Sequence, residues 1–186
     1  MKQVDRSIVL VGMMGAGKSS VGRCLHRRTG LALHDTDEIV ASKFGIPIPE
    51  VFARYGEKKF REAETEALRQ MPTEEQKIII TGGGIVLRKE NVEILRSHAV
   101  IVWLDGDDET LFARVLRKRN RPLLQTENPR KTFAQILGAR RPLYANVADI
   151  RIDTSVLTDE EVAVAILAKL RRVNPKPRSP ISAKAS

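Results

Sequence analysis

Residues Gly12 to Ser19, GMMGAGKS, fit the pattern G-x-x-x-x-G-K-[ST] without a mismatch. They follow SIVLVG, a short, almost wholly apolar run of the kind buried on both faces of a parallel sheet. They precede a segment from Lys18 to about Arg28 in which Val21, Cys24 and Leu25 form an apolar stripe at helical spacing, with Gly30 where a helix C-cap belongs. In that setting the glycines permit a turn that aims several backbone N–H groups inward at phosphate oxygens, and the helix N-terminus adds its partial positive charge. Lys18 can reach the β- and γ-phosphates, and the Ser19 hydroxyl can ligate Mg²⁺. A glycine-rich turn with a chance lysine is the competing reading; the complete pattern between strand and helix makes it the poorer one. ATP or GTP binding is expected, with Gly15, Ala16, Gly17, Lys18, Ser19 and Ser20 as the nucleotide-binding residues.

The same motif constrains the fold, because it belongs to parallel sheets whose strands are joined by helices. Strand and helix signals do alternate along the chain, so the expected class is α/β, a doubly wound parallel β-sheet flanked by helices. After the first strand and helix, LALHDTD reads as a strand ending in acids, and Asp37 to about Phe44 as a helix broken by Gly45-Ile46-Pro47. A second helical region runs from Ile48 to about Met71, punctuated at Gly56. Lys77–Thr81 and Ala99–Leu104 read as strands with a short helix, Asn91–Arg96, between them. A helix follows from Asp108 to about Lys118, its start rich in acids that suit the positive end of the helix dipole. The polar stretch at residues 119–130 reads as a mobile surface loop, then Thr132–Arg140 as a helix and Asp149–Asp153 as a strand. Thr158–Arg171 completes the series, with Thr158 and Glu161 placed as a capping box.

The chain of 186 residues is long enough for one domain with a full core, expected over residues 1–173. Residues 174–186, NPKPRSPISAKAS, are rich in Pro, Ser and Ala without apolar period and are expected to be a disordered tail. Lys176, Arg178 and Lys184 in that tail supply part of the formal charge of +9. The other basic residues are scattered apart from a cluster at residues 114–121. No aromatics are interleaved for base stacking, so no nucleic-acid partner is expected. No apolar run approaches the roughly 20 residues of a membrane span, so no membrane partner is expected. The single cysteine, Cys24, excludes an intramolecular disulfide and a cysteine-based metal cage. With no export signal recognised, a cytoplasmic location is expected.

Among nucleotide-binding classes, a GTPase would normally carry N-K-x-D, which does not occur here. A motor ATPase is usually longer. A compact kinase of a small metabolite suits the length. Its second cluster would be Asp35-Thr36-Asp37 at the carboxyl end of the second strand, facing the ligand crevice beside the phosphate loop. Asp35 can hold the Mg²⁺ shell through water, while Asp37 can bind the acceptor hydroxyl and assist its deprotonation. The competing reading makes Asp37 a helix N-cap, which leaves Asp35 unexplained. A third cluster is KKFREAETEAL, where Arg61 and Glu64 are three apart on a helix and can pair; alone this is an ordinary solvated ion pair. A fourth is Thr81-Gly82-Gly83-Gly84, a strand end with no side chains on its glycines, which invites close approach to the backbone.

GMMGAGKS, DTD, Phe60-Arg61-Glu62-Ala63-Glu64, TGGG, RPLL and RRPLY occur in the order and rough spacing of the shikimate kinases, and from about Ile8 to Asp153 the chain resembles that family. The resemblance implies transfer of the γ-phosphoryl of ATP to the 3-hydroxyl of shikimate, with Mg²⁺, in aromatic amino-acid biosynthesis. It implies that Arg61 and Arg140 grip the substrate carboxylate, that Asp37 accepts the ring hydroxyls, and that Gly82, Gly83 and Gly84 let the ring approach. Glu64 would orient Arg61. Arg121, heading RPLL, would be the lid arginine over the phosphates, making Lys18, Asp37 and Arg121 the catalytic set. Arg114 matches the arginine that stacks on adenine, although the cluster around it could be merely solvated. Arg140 rather than Arg141 fits the family's R-x-P-L-Y. A monomer binding ATP and shikimate is expected. A kinase of another hydroxylated acid, such as gluconate, and a non-catalytic nucleotide-binding regulator are the alternatives.

Overall fold

The computed structural model describes residues 6–117 and 122–172. Five strands, β1 (Ser7–Val11), β2 (Ala32–Asp35), β3 (Lys77–Ile80), β4 (Ala99–Asp105) and β5 (Ile150–Asp153), form one sheet in the order β2-β3-β1-β4-β5. Every pairing is parallel, with Val9 opposite both Ile79 and Ile101 at its centre. The three inner strands are buried at every residue, whereas edge strand β5 alternates buried and exposed. That difference is why β1, β3 and β4 read as unbroken apolar runs.

The helices are α1 (Lys18–Thr29), α2 (Thr36–Phe44), α3 (Ile48–Arg69), α4 (Lys89–His98), α5 (Asp108–Leu116), α6 (Pro129–Val147) and α7 (Asp159–Leu170). From β1 the chain crosses toward β2, then from β3 it crosses back past β1 to β4. Right-handed crossovers running in opposite directions place their helices on opposite faces. Accordingly α1 packs with α7, and α4 with α3. The reversal occurs around β1, so the crevice above the carboxyl ends of the strands opens beside the phosphate loop. The core on both faces of the sheet is aliphatic, with Trp103, Phe133 and Tyr144 its large rings. A second, smaller cluster, Val40, Val51, Phe60, Ala63 and Ala67, lies between α2 and α3.

Two features of the chain differ from the sequence expectation for physical reasons, and one agrees with it. α6 starts at Pro129 and runs through Pro142 to Val147 instead of ending near Arg140. A proline interior to a helix removes one hydrogen bond to the residue four before it. That residue, Gly138, is exposed, and buried Leu137, Tyr144 and Val147 hold the helix to the core on either side of the break. α3 is punctuated at Gly56 as expected: Gly56 has φ 76° and ψ 169°, so the helix is two pieces meeting at a kink. Part of the expected surface loop is ordered: a 3₁₀ turn spans Pro122–Leu124, with Leu124 buried. Residues 119–121 of that loop, Arg121 among them, and the expected tail 174–186 lie outside the described residues. The capping box of α7 forms as expected, with the Thr158 side chain accepting from the Glu161 N–H and Glu161 accepting from the Thr158 N–H. Among the described residues no helix is long and apolar enough to cross a membrane.

Candidate active site

The phosphate loop turns where only glycine fits. Gly12 has φ 143°, and a Cβ there would sit 2.3 Å from the Leu104 carbonyl oxygen; Gly15 has φ 87°, and a Cβ there would sit 2.4 Å from the Leu111 carbonyl oxygen. Both neighbours are backbone and cannot swing away, so the loop is pressed against the end of β4 and against α5. The Lys18 ammonium donates to the carbonyls of Gly12 and Met13 at 2.8 and 3.0 Å, which holds it over the loop. Ala16 is buried beneath.

A cavity of about 560 Å³ opens above this loop. Its lining brings together Gly15, Gly17, Lys18, Ser19 and Ser20 with Asp35, Asp37, Gly82, Gly83 and Arg114. Arg114 is not loose in solvent: its guanidinium donates to the Thr154 hydroxyl at 3.1 Å and to the Thr154 carbonyl at 2.8 Å, so the end of β5 fixes it at the cavity wall.

The competing cap reading falls on the other acid. Asp35, not Asp37, caps α2: its Oδ1 accepts from the Asp37 N–H at 2.9 Å. The helix opens at Thr36, so the cap lies two residues before Asp37. Asp37 then sits in the first turn with its carboxylate beside Gly82. Asp35 is pushed up to about 6, by burial first and by the charge of Asp37 second.

The glycine segment is a wall that side chains lean on. A Cβ at Gly82 would lie 2.8 Å from both Asp37 Oδ1 and Glu64 Oε1, and one at Gly84 would lie 2.2 Å from an Arg61 guanidinium nitrogen. At Gly83 the nearest side-chain atoms would be Arg140 Nη1 and the Tyr144 hydroxyl, both at 3.6 Å. The strand end thus lacks side chains chiefly because Asp37, Glu64 and Arg61 occupy the space they would need. Two partners that the sequence reading missed pin this wall. The Thr36 hydroxyl accepts from the Gly82 N–H at 3.2 Å, and the Tyr144 hydroxyl donates to the Gly83 carbonyl. Burial pushes the Tyr144 phenol up to about 12, which keeps it a donor. The signals were present: a hydroxyl between two acids, and a tyrosine one helical turn after Arg140.

Arg61 and Glu64 are not a solvated pair. Arg61 is 8% exposed and Glu64 0%, and Arg61 Nη1 donates to Glu64 Oε2 at 2.9 Å. Arg61 Nε and Nη2 also reach Glu57 Oε1, at 3.2 and 3.0 Å, a partner absent from the sequence reading. Arg88, also missed, donates to the Arg61 carbonyl and to the Thr65 hydroxyl, fixing the backbone of this turn. Arg140 is buried on the inner face of α6, whereas Arg141 turns away to Asp108, Asp105 and the Gly106 carbonyl. That answers which of the two arginines faces the glycine wall.

Burial pushes Glu64 up to about 7 against its ordinary 4.5; Arg61 opposes the shift and Asp37 adds to it. A group whose folded pKa is raised holds a proton that the unfolded chain has already released. Stability therefore falls as pH rises between about 4.5 and 7. Asp35 contributes in the same direction. Glu64→Gln is expected to flatten that slope without abolishing it, as read from urea midpoints across pH 5 to about 8 at constant m-value. An unchanged slope would show that Glu64 is ionised throughout.

A model of the shikimate kinase family matches residues 14–171. The shikimate kinase of Thermodesulfovibrio yellowstonii is 40% identical over 91% of this chain and 97% of its own length. The structure of an Acinetobacter baumannii shikimate kinase in complex with shikimate superposes with a TM-score of 0.86 at 36% identity, covering 92% of this chain and 96% of that one. A gluconokinase from Sinorhizobium meliloti reaches a TM-score of 0.59 at 17% identity, over 92% of this chain and 94% of that one, which is likeness of fold alone. A family match over most of the sequence, joined to 40% identity along nearly the whole of a curated relative, means that this chain belongs to the shikimate kinase family.

Proposed function

We propose that this chain is a shikimate kinase, transferring the γ-phosphoryl group of ATP to the 3-hydroxyl of shikimate and giving shikimate 3-phosphate for chorismate and aromatic amino-acid synthesis. The observation that carries the reading is the convergence of Asp37, Arg61 and Arg140 on one glycine wall whose near end also lines the phosphate-loop cavity. A substrate with a carboxylate and ring hydroxyls is what such a wall can hold. The guanidinium fork suits a planar carboxylate, and Asp37 can accept from the hydroxyl to be phosphorylated.

Phosphoryl transfer needs positioning and charge neutralisation more than covalent help from the protein. Lys18 and the loop N–H groups hold the phosphates, Asp37 orients the acceptor oxygen, and Arg61 with Arg140 fixes the ring. Gly15, Ala16, Gly17, Ser19 and Ser20 complete the nucleotide site, with Arg114 against the base. Arg121, outside the described residues, is assigned to closure over the phosphates by resemblance.

Among the described residues no three His, Cys, Asp or Glu side chains gather into a site that would hold a metal unaided. Magnesium is ordinarily bound by one or two carboxylates together with substrate phosphates, so a protein-only cage is not required. Ser19 and Asp35 line the cavity with hard oxygen donors, and Asp35 is crowded by the charge of Asp37. The fit supports Mg²⁺ held by Ser19 and, through water, by Asp35; when bound it would offset phosphate charge. We also infer a monomer, and a cytoplasmic location, where ATP is abundant.

The deciding experiment couples ADP release to a spectrophotometric readout with shikimate and gluconate side by side. Shikimate-dependent, Mg²⁺-dependent ADP release with little response to gluconate is expected. ATP binding without turnover on either acid would sink the proposal.

A further inference from the structure

We propose that Glu57 tunes the affinity for the substrate carboxylate by competing with it for the side-on face of Arg61, Nε with one terminal nitrogen. The inference rests on the shikimate kinase reading above and adds a residue to it. Three of the five N–H groups of Arg61 are engaged: one terminal nitrogen donates to Glu64, and the other, with Nε, donates to Glu57, which therefore holds the side-on pair of the fork. A substrate carboxylate can take that side-on pair, Nε with its neighbouring terminal nitrogen, only by displacing Glu57.

The two acids are not equivalent. The Glu64 side chain is 0% exposed and is packed beside Gly82 and Asp37, so it has nowhere to go. The Glu57 side chain is 50% exposed and can exchange Arg61 for water by rotating about its own bonds. Its backbone is also the first residue after the kink at Gly56, whose φ of 76° separates it from the preceding helical turn. Charge points the same way. Two guanidiniums, of Arg61 and Arg140, are set among three acids, Asp37, Glu57 and Glu64. A fourth carboxylate entering without a release would overload the pocket, whereas displacing Glu57 keeps the balance as it was.

An ordinary i, i+4 helix pair on the surface would have the same distances and no such consequence, so the test must separate competition from packing. Glu57→Gln and Glu57→Ala are compared with the unsubstituted protein for KM of shikimate and of shikimate methyl ester, with KM for ATP as internal reference. Losing an exposed competitor is expected to lower KM for shikimate about two- to fivefold, and to leave KM for the neutral ester where it was. Unchanged or raised KM for shikimate in both variants overturns the inference, as does an equal fall for acid and ester. If the unsubstituted protein releases no ADP with shikimate, the functional reading and this inference fall together; activity with unmoved KM removes this inference alone.

Discussion

Arg61→Ala is expected to raise KM for shikimate by about two orders of magnitude while KM for ATP changes little. Truncating one partner of a buried, hydrogen-bonded charge pair typically costs about 2–5 kcal/mol, and each 1.4 kcal/mol is about tenfold. The prediction is specific because Arg61 leans on Gly84, whereas the residues lining the cavity over the phosphate loop do not include it. Some loss of stability will accompany it. Glu64 would keep its buried place without the Arg61 cation, and a buried lone carboxylate is expensive. Glu64 already stands near 7, so it would take up a proton and limit that cost. Combining Arg61→Ala with Glu64→Gln removes the stranded acid and separates the two effects: stability should recover and KM should not. Arg140→Ala should show the same preference for shikimate over ATP. Equal weakening of both ligands would mean that the substitutions disturb the fold and that neither arginine has the assigned role.

What the sequence could and could not tell follows from the range of the interactions involved. The phosphate loop was legible because its chemistry is local: a strand, a turn that demands glycine, and a helix start lie within a dozen residues. The inner strands were legible because burial on both faces removes polar residues from a continuous run, as in AVIVWL. The position of the cap at Asp35 was not, because the choice between two acids two residues apart depends on where α2 begins, and its first residue, Thr36, is turned inward to the glycine wall. The continuation of α6 through Pro142 was not legible either. Local propensity argues for a stop there, and burial of Leu137, Tyr144 and Val147 overrides it. Arg88 falls in the same class, an ordinary charged residue in its own segment that acquires meaning only from Arg61, which the fold brings to it. Glu57, four residues before Arg61 on the same helix, was within reach of a reading by helical spacing. Resemblance supplied the roles of Arg61 and Arg140; the geometry supplies the reason that one arginine of the Arg140-Arg141 pair, and not the other, meets the glycine wall.

Lys18→Ala should bring the largest loss of turnover in the molecule, about a thousandfold or more in kcat, with the fold intact. Charge on the transferring group spreads over its non-bridging oxygens in the transition state, and a fixed ammonium within a water-poor site stabilises that charge more than it stabilises bound ATP. Interactions of this kind lower kcat when removed and change ground-state binding less. The ammonium is already in place before any phosphate arrives, held by the Gly12 and Met13 carbonyls, so little reorganisation is needed on binding. Lys18 itself lines the open cavity, so its removal lets water in beside those two carbonyls, and stability should fall by only about 1 kcal/mol. Single-turnover rates with shikimate saturating, alongside direct titration of ATP, would separate the two effects. A kcat loss under about tenfold would place the stabilising charge elsewhere, and Arg121 would be the residue to replace next.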